Sequence, residues 1–314
     1  MHPAPSIIFF TVASGAGYGL LFVLGLGAAM GLVPLDRWLG FAAMASSLGL
    51  ITLGLLASTF HLGHPERAWR AVTQLSSSWL SREGVAALLT YVPALIFAFG
   101  WLFLSRTGAG FALAGLIAAL GALVTLYCTG MIYASLRPIR EWHHPIVPWA
   151  YLAFALMTGS LLGHALFALF GEERLWIGVL ALISSALALA LKVFYWRSID
   201  DRSQHLTPGQ ATGLGPGAVR LLDPPHTQTN YLLHEMAFHI GRRHALKLRR
   251  LALVLGLGGS PLLTALALAT SGPIAMVLTI AAAVSGMAAV AIERWLFFAE
   301  ATHTVTLYYD SAAA

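Results

Sequence analysis

Two residues with acid–base chemistry, His61 and Glu83, lie 22 positions apart in the chain. An imidazole can hydrogen-bond a polar ligand near neutral pH, and a carboxyl group with a tuned pKa can take up or release a proton. The pair could therefore form an acid–base site if the fold brings the two residues together. The intervening segment adds hydrogen-bond donors and an aromatic ring, at His64, Arg67, Trp79 and Arg82.

The composition indicates which kind of element must position this pair. Of the 314 residues, 58% are apolar and only 10% are charged, whereas soluble domains carry about 25% charged residues. The mean hydropathy is +0.77, and these values exclude a water-soluble fold. The sequence pI is about 9.6, but the basic residues lie in short connectors between apolar runs. Membrane topology explains them there, so we expect no nucleic-acid partner.

Eight uncharged stretches are each long enough to cross a bilayer, which takes roughly 20 apolar residues. We therefore predict an all-α integral membrane protein with eight transmembrane helices in two four-helix units, forming a single polytopic domain over residues 1–314. The predicted spans are Ile7–Val33, Trp38–Phe60, Gly84–Leu104, Gly108–Ala134, Ile146–Phe170, Leu175–Trp196, Leu251–Thr270 and Gly272–Ile292.

An even number of spans places both termini on one side of the membrane, called here the terminal face. The extramembrane connector between spans 6 and 7, residues 197–250, lies on the same side. The opposite face carries only Arg37, Arg106 and Arg174, and the positive-inside rule therefore predicts cytoplasmic termini in a bacterial inner membrane. The terminal face carries fifteen basic residues: Arg67, Arg70, Arg82, Arg137, Arg140, Lys192, Arg197, Arg202, Arg220, Arg242, Arg243, Lys247, Arg249, Arg250 and Arg294.

This topology brings the ends of spans 2 and 3 to the same face. His61 lies at the end of one span and Glu83 at the start of the next, so the two side chains can be neighbours at the membrane surface. A second interpretation is open on the residues alone. His61 and the tryptophans are then interface anchors, and Glu83 is a first-turn carboxylate stabilised by the helix dipole.

Charged residues within the spans would indicate an ion or proton path. We find none at a span centre, and we interpret Lys192, Glu293 and Arg294 as snorkelling or anchoring residues near span ends. This disfavours a secondary transporter or channel, which stays an alternative because neutral substrates need no charged site. The lone Cys128 can neither ligate an iron–sulfur cluster nor form an internal disulfide.

The histidines also bear on cofactors. Eleven of the twelve lie on the terminal face, and only His164 lies inside a span, where we expect a hydrogen-bonded packing residue. A haem held by His61 and His164 is geometrically poor because their depths differ by roughly 25 Å. We expect no haem and no metal site, although a haem b cytochrome stays an alternative.

Several short motifs resemble the membrane anchor subunit of the dimethyl sulfoxide reductase family. They are His61–Gly63, the run Ser78–Glu83 and the eight-span plan. The opening residues Met1–Ser6 and the connector from Ala211–Leu214 to Glu235–Met236 are similar to the branch that includes membrane subunits of sulfite-oxidising molybdoenzymes.

This resemblance implies a subunit that exchanges electrons between a quinone pool, ubiquinone or menaquinone, and partner proteins. The implied partners are a ferredoxin-like subunit with iron–sulfur clusters and a molybdopterin catalytic subunit. Neither haem nor an iron–sulfur cluster is implied for this chain. The positions of His61 and Glu83 are associated with the quinol site in the family. The direction of electron flow, towards sulfoxide reduction or from sulfite oxidation, is open.

Quinol oxidation releases two electrons and two protons, so its site needs a hydrogen-bonding group and a proton acceptor. His61 would be the first and Glu83 the second, with Arg82, Trp79, Arg67 and His64 completing the site. Arginine is favoured at protein interfaces because its planar fork pairs with carboxylates and stacks on rings. We therefore expect the partner to dock on the terminal face, at Arg242, Arg243, Arg249 and Arg250.

Overall fold

A computed structural model describes residues 3–59, 64–172, 174–201, 206–215, 219, 222–223 and 239–309. The side chains of residues 239–243, 257, 308 and 309 fall outside this description. Across the described ranges the chain is helical, without strands except for one isolated bridge between Ile139 and His303. Eight helices are long and apolar enough to cross a membrane, which confirms the predicted fold class.

The eight spans are numbered in chain order and begin and end close to the predicted positions. They are Pro5–Ala29, Arg37–Thr59, Trp79–Leu104, Gly110–Ala134, Ile146–Leu169, Leu175–Ile199, His244–Leu268 and Gly272–Ala299. Span 7 is built from the α-helix His239–Ala252, the π-helical segment Leu253–Gly259 and the α-helix Ser260–Leu268. Short helices outside the spans are Pro65–Val72, Pro208–Thr212 and Thr304–Tyr309.

Spans 1 and 5 pack against each other at the centre of the bundle. A Cβ atom on Gly19 would lie 1.8 Å from the carbonyl oxygen of Ala155, and one on Gly159 would lie 2.1 Å from the carbonyl carbon of Gly19. Small residues let helix backbones approach this closely within a membrane. Span 1 also packs against spans 2, 4 and 8, and this packing does not show the expected division into two four-helix units.

The interpretation of Lys192, Glu293 and Arg294 as snorkelling residues is wrong. Spans 6 and 8 continue beyond the predicted ends, to Ile199 and Ala299, so the three residues lie inside the helix bundle. Each is only 2% exposed. The Glu293 carboxylate joins the two cations, with Oε1 2.5 Å from Lys192 Nζ and Oε2 2.6 Å from Arg294 Nε.

His164 is buried in span 5, as expected of a packing residue. It lines a cavity of about 180 Å³ near the opposite face, together with Arg174, Thr270 and Thr279. Among the described residues its Nδ1 has no hydrogen-bond partner, so the expected hydrogen bond is not seen at this atom.

Candidate functional site

The start of span 3 is defined by a serine cap. The backbone N–H of Ser81 donates to Ser78 Oγ at 3.3 Å, and the backbone N–H of Gln74 donates to Ser81 Oγ at 3.0 Å. Such N-caps satisfy backbone donors that have no partner within the helix. The helix consequently begins at Trp79 rather than at Gly84, which places Glu83 on its second turn.

Arg82 holds the connector that precedes span 3. Its Nε donates to the carbonyl oxygen of Leu75 at 2.9 Å, and its Nη2 donates to that of Ser76 at 2.8 Å. The guanidinium also lies 4.2 Å from the ring centroid of Trp79, within cation–π distance. Arg82 and Trp79 therefore form the rigid outer edge of the site beside Glu83.

Glu83 lies inside the bundle rather than at the membrane surface. It is 4% exposed, and the hydroxyl of Thr129 on span 4 donates to its Oε1. Among the described residues it makes no ion pair. Tyr18 on span 1 is also close enough to interact electrostatically with the carboxyl group. The site is thus a buried carboxyl group that accepts a hydrogen bond from span 4 and lies near a tyrosine of span 1.

The Thr129 hydroxyl has two acceptors within reach, because it also lies 3.0 Å from the carbonyl oxygen of Thr125. A single hydroxyl proton cannot serve both acceptors well. When Glu83 is protonated, its carboxyl O–H can donate to Thr129, and the threonine proton is then free for Thr125. This arrangement suits a carboxyl group that gains and loses a proton.

Two of the predicted site residues, His64 and Arg67, are directed to another partner than Glu83. His64 and Arg67 belong to the short helix Pro65–Val72 and its N-cap, and both are exposed. They face Glu66 instead, with His64 Nδ1 3.0 Å and Arg67 Nε 3.8 Å from its Oε1. His61 lies outside the described residues, so its proximity to Glu83 stays a prediction.

An apolar groove of about 670 Å³ runs between spans 2 and 3. At one end of the groove, Thr52 of span 2 and Tyr91 of span 3 share a hydrogen bond of 2.7 Å. Tyr91 lies two helical turns beyond Glu83 on the same span. The groove is lined by Phe41, Met44, Ala45, Leu48, Gly49, Thr52, Leu53, Leu95, Ala98, Phe99, Leu102 and Phe103.

The sequence reasoning missed Thr129 as a partner of Glu83. One signal was available, because Thr125 and Thr129 are four residues apart in an otherwise apolar span and therefore share a helix face. The sequence does not show which neighbouring span that face contacts. Only the packing of span 4 against span 3 brings Thr129 to Glu83.

The predicted docking arginines have different environments. Arg249 is engaged within the chain, since its Nη1 lies 2.7 Å from Asp200 Oδ2 and its Nε 2.8 Å from Glu300 Oε1. Arg250 is exposed, whereas the side chains of Arg242 and Arg243 lie outside the described residues.

Three titratable groups in the described connectors and terminal segment have shifted pKa values: Glu300, His144 and His303, whose pKa is lowered by burial. Burial raises the pKa of Glu300, and the neighbouring Arg249 opposes the shift. Burial lowers the pKa of His144, and the charge of Arg140 adds to the effect. Within the described part of the chain, no group of three or more His, Cys, Asp or Glu residues could hold a metal ion.

Comparison with known proteins agrees with the motif resemblance. Residues 1–299 match the family described as DMSO reductase anchor subunit (DmsC). The chain is 35% identical to a sulfite dehydrogenase subunit of Allochromatium vinosum, over 335 aligned positions that cover all of both proteins. It is 26% identical to a subunit of the anaerobic dimethyl sulfoxide reductase of Escherichia coli, over 53% of this chain and 58% of that protein. The eight-span chain therefore belongs to the DMSO reductase anchor subunit family.

Proposed function

We propose that this anchor subunit binds a quinone headgroup beside Glu83 and exchanges its protons at that carboxyl group. The observation that carries the proposal is the burial of the Glu83 carboxyl group near the terminal-face end of span 3, without an ion-pair partner among the described residues. Intramembrane ionisable residues are rare and usually functional. A purely anchoring carboxylate would instead lie at the interface, in contact with water.

The protein's own residues can perform the proton chemistry of this site. A bound quinone would supply a two-electron couple, accompanied by two protons. Glu83 would exchange a proton with the headgroup, while Thr129 stabilises both states of the carboxyl group by redirecting its hydroxyl hydrogen. His61 is proposed to hydrogen-bond a quinone oxygen. Arg82 holds the connector that precedes the site and packs on Trp79, whereas His64 and Arg67 face Glu66 and are left out of the proposed headgroup site.

The groove between spans 2 and 3 is proposed to take the isoprenoid tail. Its walls are apolar apart from Thr52, and binding sites for apolar groups are mostly lined in this way. The groove lies on the same helix pair that carries Glu83. It occupies the half of the two spans nearer the opposite face, beyond the Thr52–Tyr91 hydrogen bond. A tail that reaches it from a headgroup beside Glu83 would run about 18 Å along span 3, the rise of the twelve residues from Glu83 to Leu95.

The electrons are proposed to pass to an iron–sulfur subunit that docks on the terminal face, followed by a molybdopterin catalytic subunit. With a single cysteine, the anchor subunit is unable to ligate an iron–sulfur cluster itself. The matched relatives are named as parts of sulfite dehydrogenase and dimethyl sulfoxide reductase, so sulfite oxidation and sulfoxide reduction are the candidate overall reactions. Arg242, Arg243 and Arg250 are the proposed docking residues, because Arg249 is engaged within the chain.

The test replaces the two proposed quinone residues in the assembled complex. Glu83→Gln keeps the shape but removes proton acceptance, so quinone-linked turnover should fall more than quinone binding. His61→Ala should weaken binding of quinone or a quinone-site inhibitor about tenfold, because a lost hydrogen bond to a buried ligand costs roughly 1–3 kcal/mol. Molybdenum-site activity with a soluble electron dye should survive both changes.

Glu172→Gln is the matched control, since Glu172 is a carboxylate near the opposite face, paired with Arg174. Its quinone-linked turnover should equal that of the wild type. If Glu83→Gln and His61→Ala also retain full quinone-linked turnover, the proposed site is wrong and the two residues are interface anchors.

A further inference from the structure

Within the described parts of the spans, the proposed quinone site leaves three buried charged residues without a role. They are called here the buried charge cluster: Lys192 on span 6 and Glu293 and Arg294 on span 8. Aromatic rings enclose both cations. Lys192 Nζ lies 4.1 Å from the Tyr195 ring centroid, and Arg294 Cζ lies 4.0 Å from that of Tyr151.

The cluster contains one more cation than its internal charge balance requires. Glu293 and Arg294 form a neutral pair without Lys192. An arginine side chain stays protonated in proteins, whereas a buried lysine can lose its proton readily. A buried ion pair is weak evidence for a stabilising role, because a protein with apolar residues of similar volume at these positions is often at least as stable. Lys192 is therefore a titratable amine whose presence stability alone does not explain.

The cluster lies at nearly the same depth as Glu83. Counting 1.5 Å per residue from the terminal-face ends of the helices, Glu83, Tyr151, Lys192 and Glu293 lie about 6 to 11 Å inside them. Between them, Tyr133 follows Thr129 by one helical turn on span 4, and its ring stacks on that of Tyr151 at 5.8 Å. Polar groups thus follow one another laterally through the bundle.

Two small cavities border this lateral series. One, of about 10 Å³, is lined by Lys192 and Glu293, and the other, of the same volume, by Tyr151 and Arg294. Each has room for about one water molecule. Among the described residues, Arg294 Nη1 has no hydrogen-bond partner, and the Tyr151 hydroxyl lies close to the Arg294 guanidinium. A water molecule in the second cavity would satisfy such groups and connect them.

On its other side, the cluster leads to the terminal face. Glu300 lies beyond the end of span 8, interacts electrostatically with Lys192 and forms an ion pair with Arg249. Arg249 also binds Asp200, whose side chain is 56% exposed. Burial raises the pKa of Glu300, which favours a group that can be protonated transiently. Lys192 is thus separated from solvent by one titratable carboxyl group and its ion-pair partners.

We propose that Lys192 is a proton carrier in a lateral path between Glu83 and the terminal face. From Glu83 the path reaches Lys192 through Tyr133, Tyr151 and Glu293. From Lys192 it reaches the terminal face through Glu300. The inference rests on the proposed quinone site. Each quinol oxidised there releases two protons, and the path carries them one at a time from Glu83 to the terminal face. When quinone is reduced, the path carries protons from the terminal face to Glu83. Lys192 passes from ammonium to amine and back in each transfer. The titratable and charged groups around it are Glu293, Arg294, Tyr151, Tyr195, Arg249, Asp200 and Glu300.

The test compares Lys192→Met with Lys192→Arg in the complete complex. Methionine leaves the Glu293–Arg294 pair balanced, and arginine keeps the charge but cannot release a proton. Both variants should lower the kcat of quinone-linked turnover about tenfold or more, with KM within about twofold, because a proton-transfer group contributes at least that much. Stopped-flow measurement with a pH indicator should show the proton change lagging behind electron transfer.

Lys247→Met is the control, since Lys247 is an exposed cation in the first turn of span 7, and it should behave as the wild type. Wild-type kcat in both Lys192 variants overturns the path, as does recovery by Lys192→Arg of the activity lost in Lys192→Met. If neither variant assembles, Glu300→Gln is the deciding test. The proposal predicts that proton release is slower in this variant, and release at the wild-type rate overturns it. If the Lys192 variants keep the full quinone-linked turnover and Glu83→Gln does not, the proton path is wrong but the quinone site stands. If Glu83→Gln keeps the full turnover, the quinone site itself is wrong.

Discussion

At the scale of single residues, the environment of Glu83 determines what its carboxyl group can do. An interfacial carboxylate in contact with water would stay ionised and serve as an anchor. The observed carboxyl group is buried, without an ion-pair partner among the described residues, and next to a hydroxyl that can accept or donate. Removal from water disfavours the charged form of a carboxyl group. This environment supports the proton exchange proposed for Glu83, and Arg82 holds the connector.

The first prediction at this scale concerns Thr129. Thr129→Val keeps the volume but removes the hydroxyl, so the ionised form of Glu83 loses its hydrogen-bond donor, at a cost of roughly 1–3 kcal/mol. We expect quinone-linked turnover to fall about tenfold, measured as kcat across a range of pH. Thr129→Ser retains the hydroxyl and should restore most of the rate. Equal rates in the valine and serine variants would show that the hydroxyl has no part in proton exchange.

At the scale of elements, helix ends and helix separation shape the site. The Ser78 cap starts span 3 at Trp79 and moves Glu83 one turn deeper than the hydropathy pattern indicates. Spans 2 and 3 are joined through the short helix Pro65–Val72, yet they leave an apolar groove between them. A pair of spans that separates towards lipid can admit a long apolar tail from the side.

The second prediction concerns Gly49, which lines the apolar groove. A Cβ atom added to this glycine would meet nothing within 4 Å, so Gly49→Leu should fill the groove without disturbing the helix packing. We expect the KM for a long-tailed quinone to rise several-fold, while the KM for a short-tailed analogue with the same headgroup stays unchanged. Steady-state kinetics with both substrates measures the difference. An equal effect on both quinones would place the tail elsewhere.

At the scale of the whole molecule, the ionisable groups that the spans bury lie mainly near one face. The carboxyl group of Glu83 and the buried charge cluster are both close to the terminal-face ends of their helices, whereas the opposite half contains His164 beside an isolated cavity. The docking arginines and the long connector belong to the same side. Quinone chemistry, proton exchange and partner docking are thus proposed to share the terminal face.

The orientation of this face is the third prediction. From the fifteen-to-three distribution of basic residues we predict that it is cytoplasmic. In a Cys128→Ser background, a membrane-impermeant thiol reagent added to intact cells should label Arg106→Cys. It should label Gly215→Cys only after the membrane is permeabilised. Labelling of Gly215→Cys from outside, without labelling of Arg106→Cys, would reverse the topology and the proposed side of docking.

The sequence by itself determined the class of protein, the eight spans and the family. Hydropathy over some 20 residues is a local property, and the bilayer forces each such segment into a helix because its backbone groups have no other partners there. The sequence also indicated Glu83 as a candidate site residue, because it directly follows the Ser78–Arg82 run in the predicted connector before span 3.

The tertiary structure decided which polar side chains meet. The contact of Thr129 with Glu83 depends on the packing of span 4 against span 3. The meeting of Lys192 with Glu293 depends on the packing of spans 6 and 8 against spans 5 and 7, which they share as neighbours. No periodicity along one helix encodes its neighbours. The sequence therefore suggested separate snorkelling charges, whereas burial without water makes such charges stable only in contact with each other.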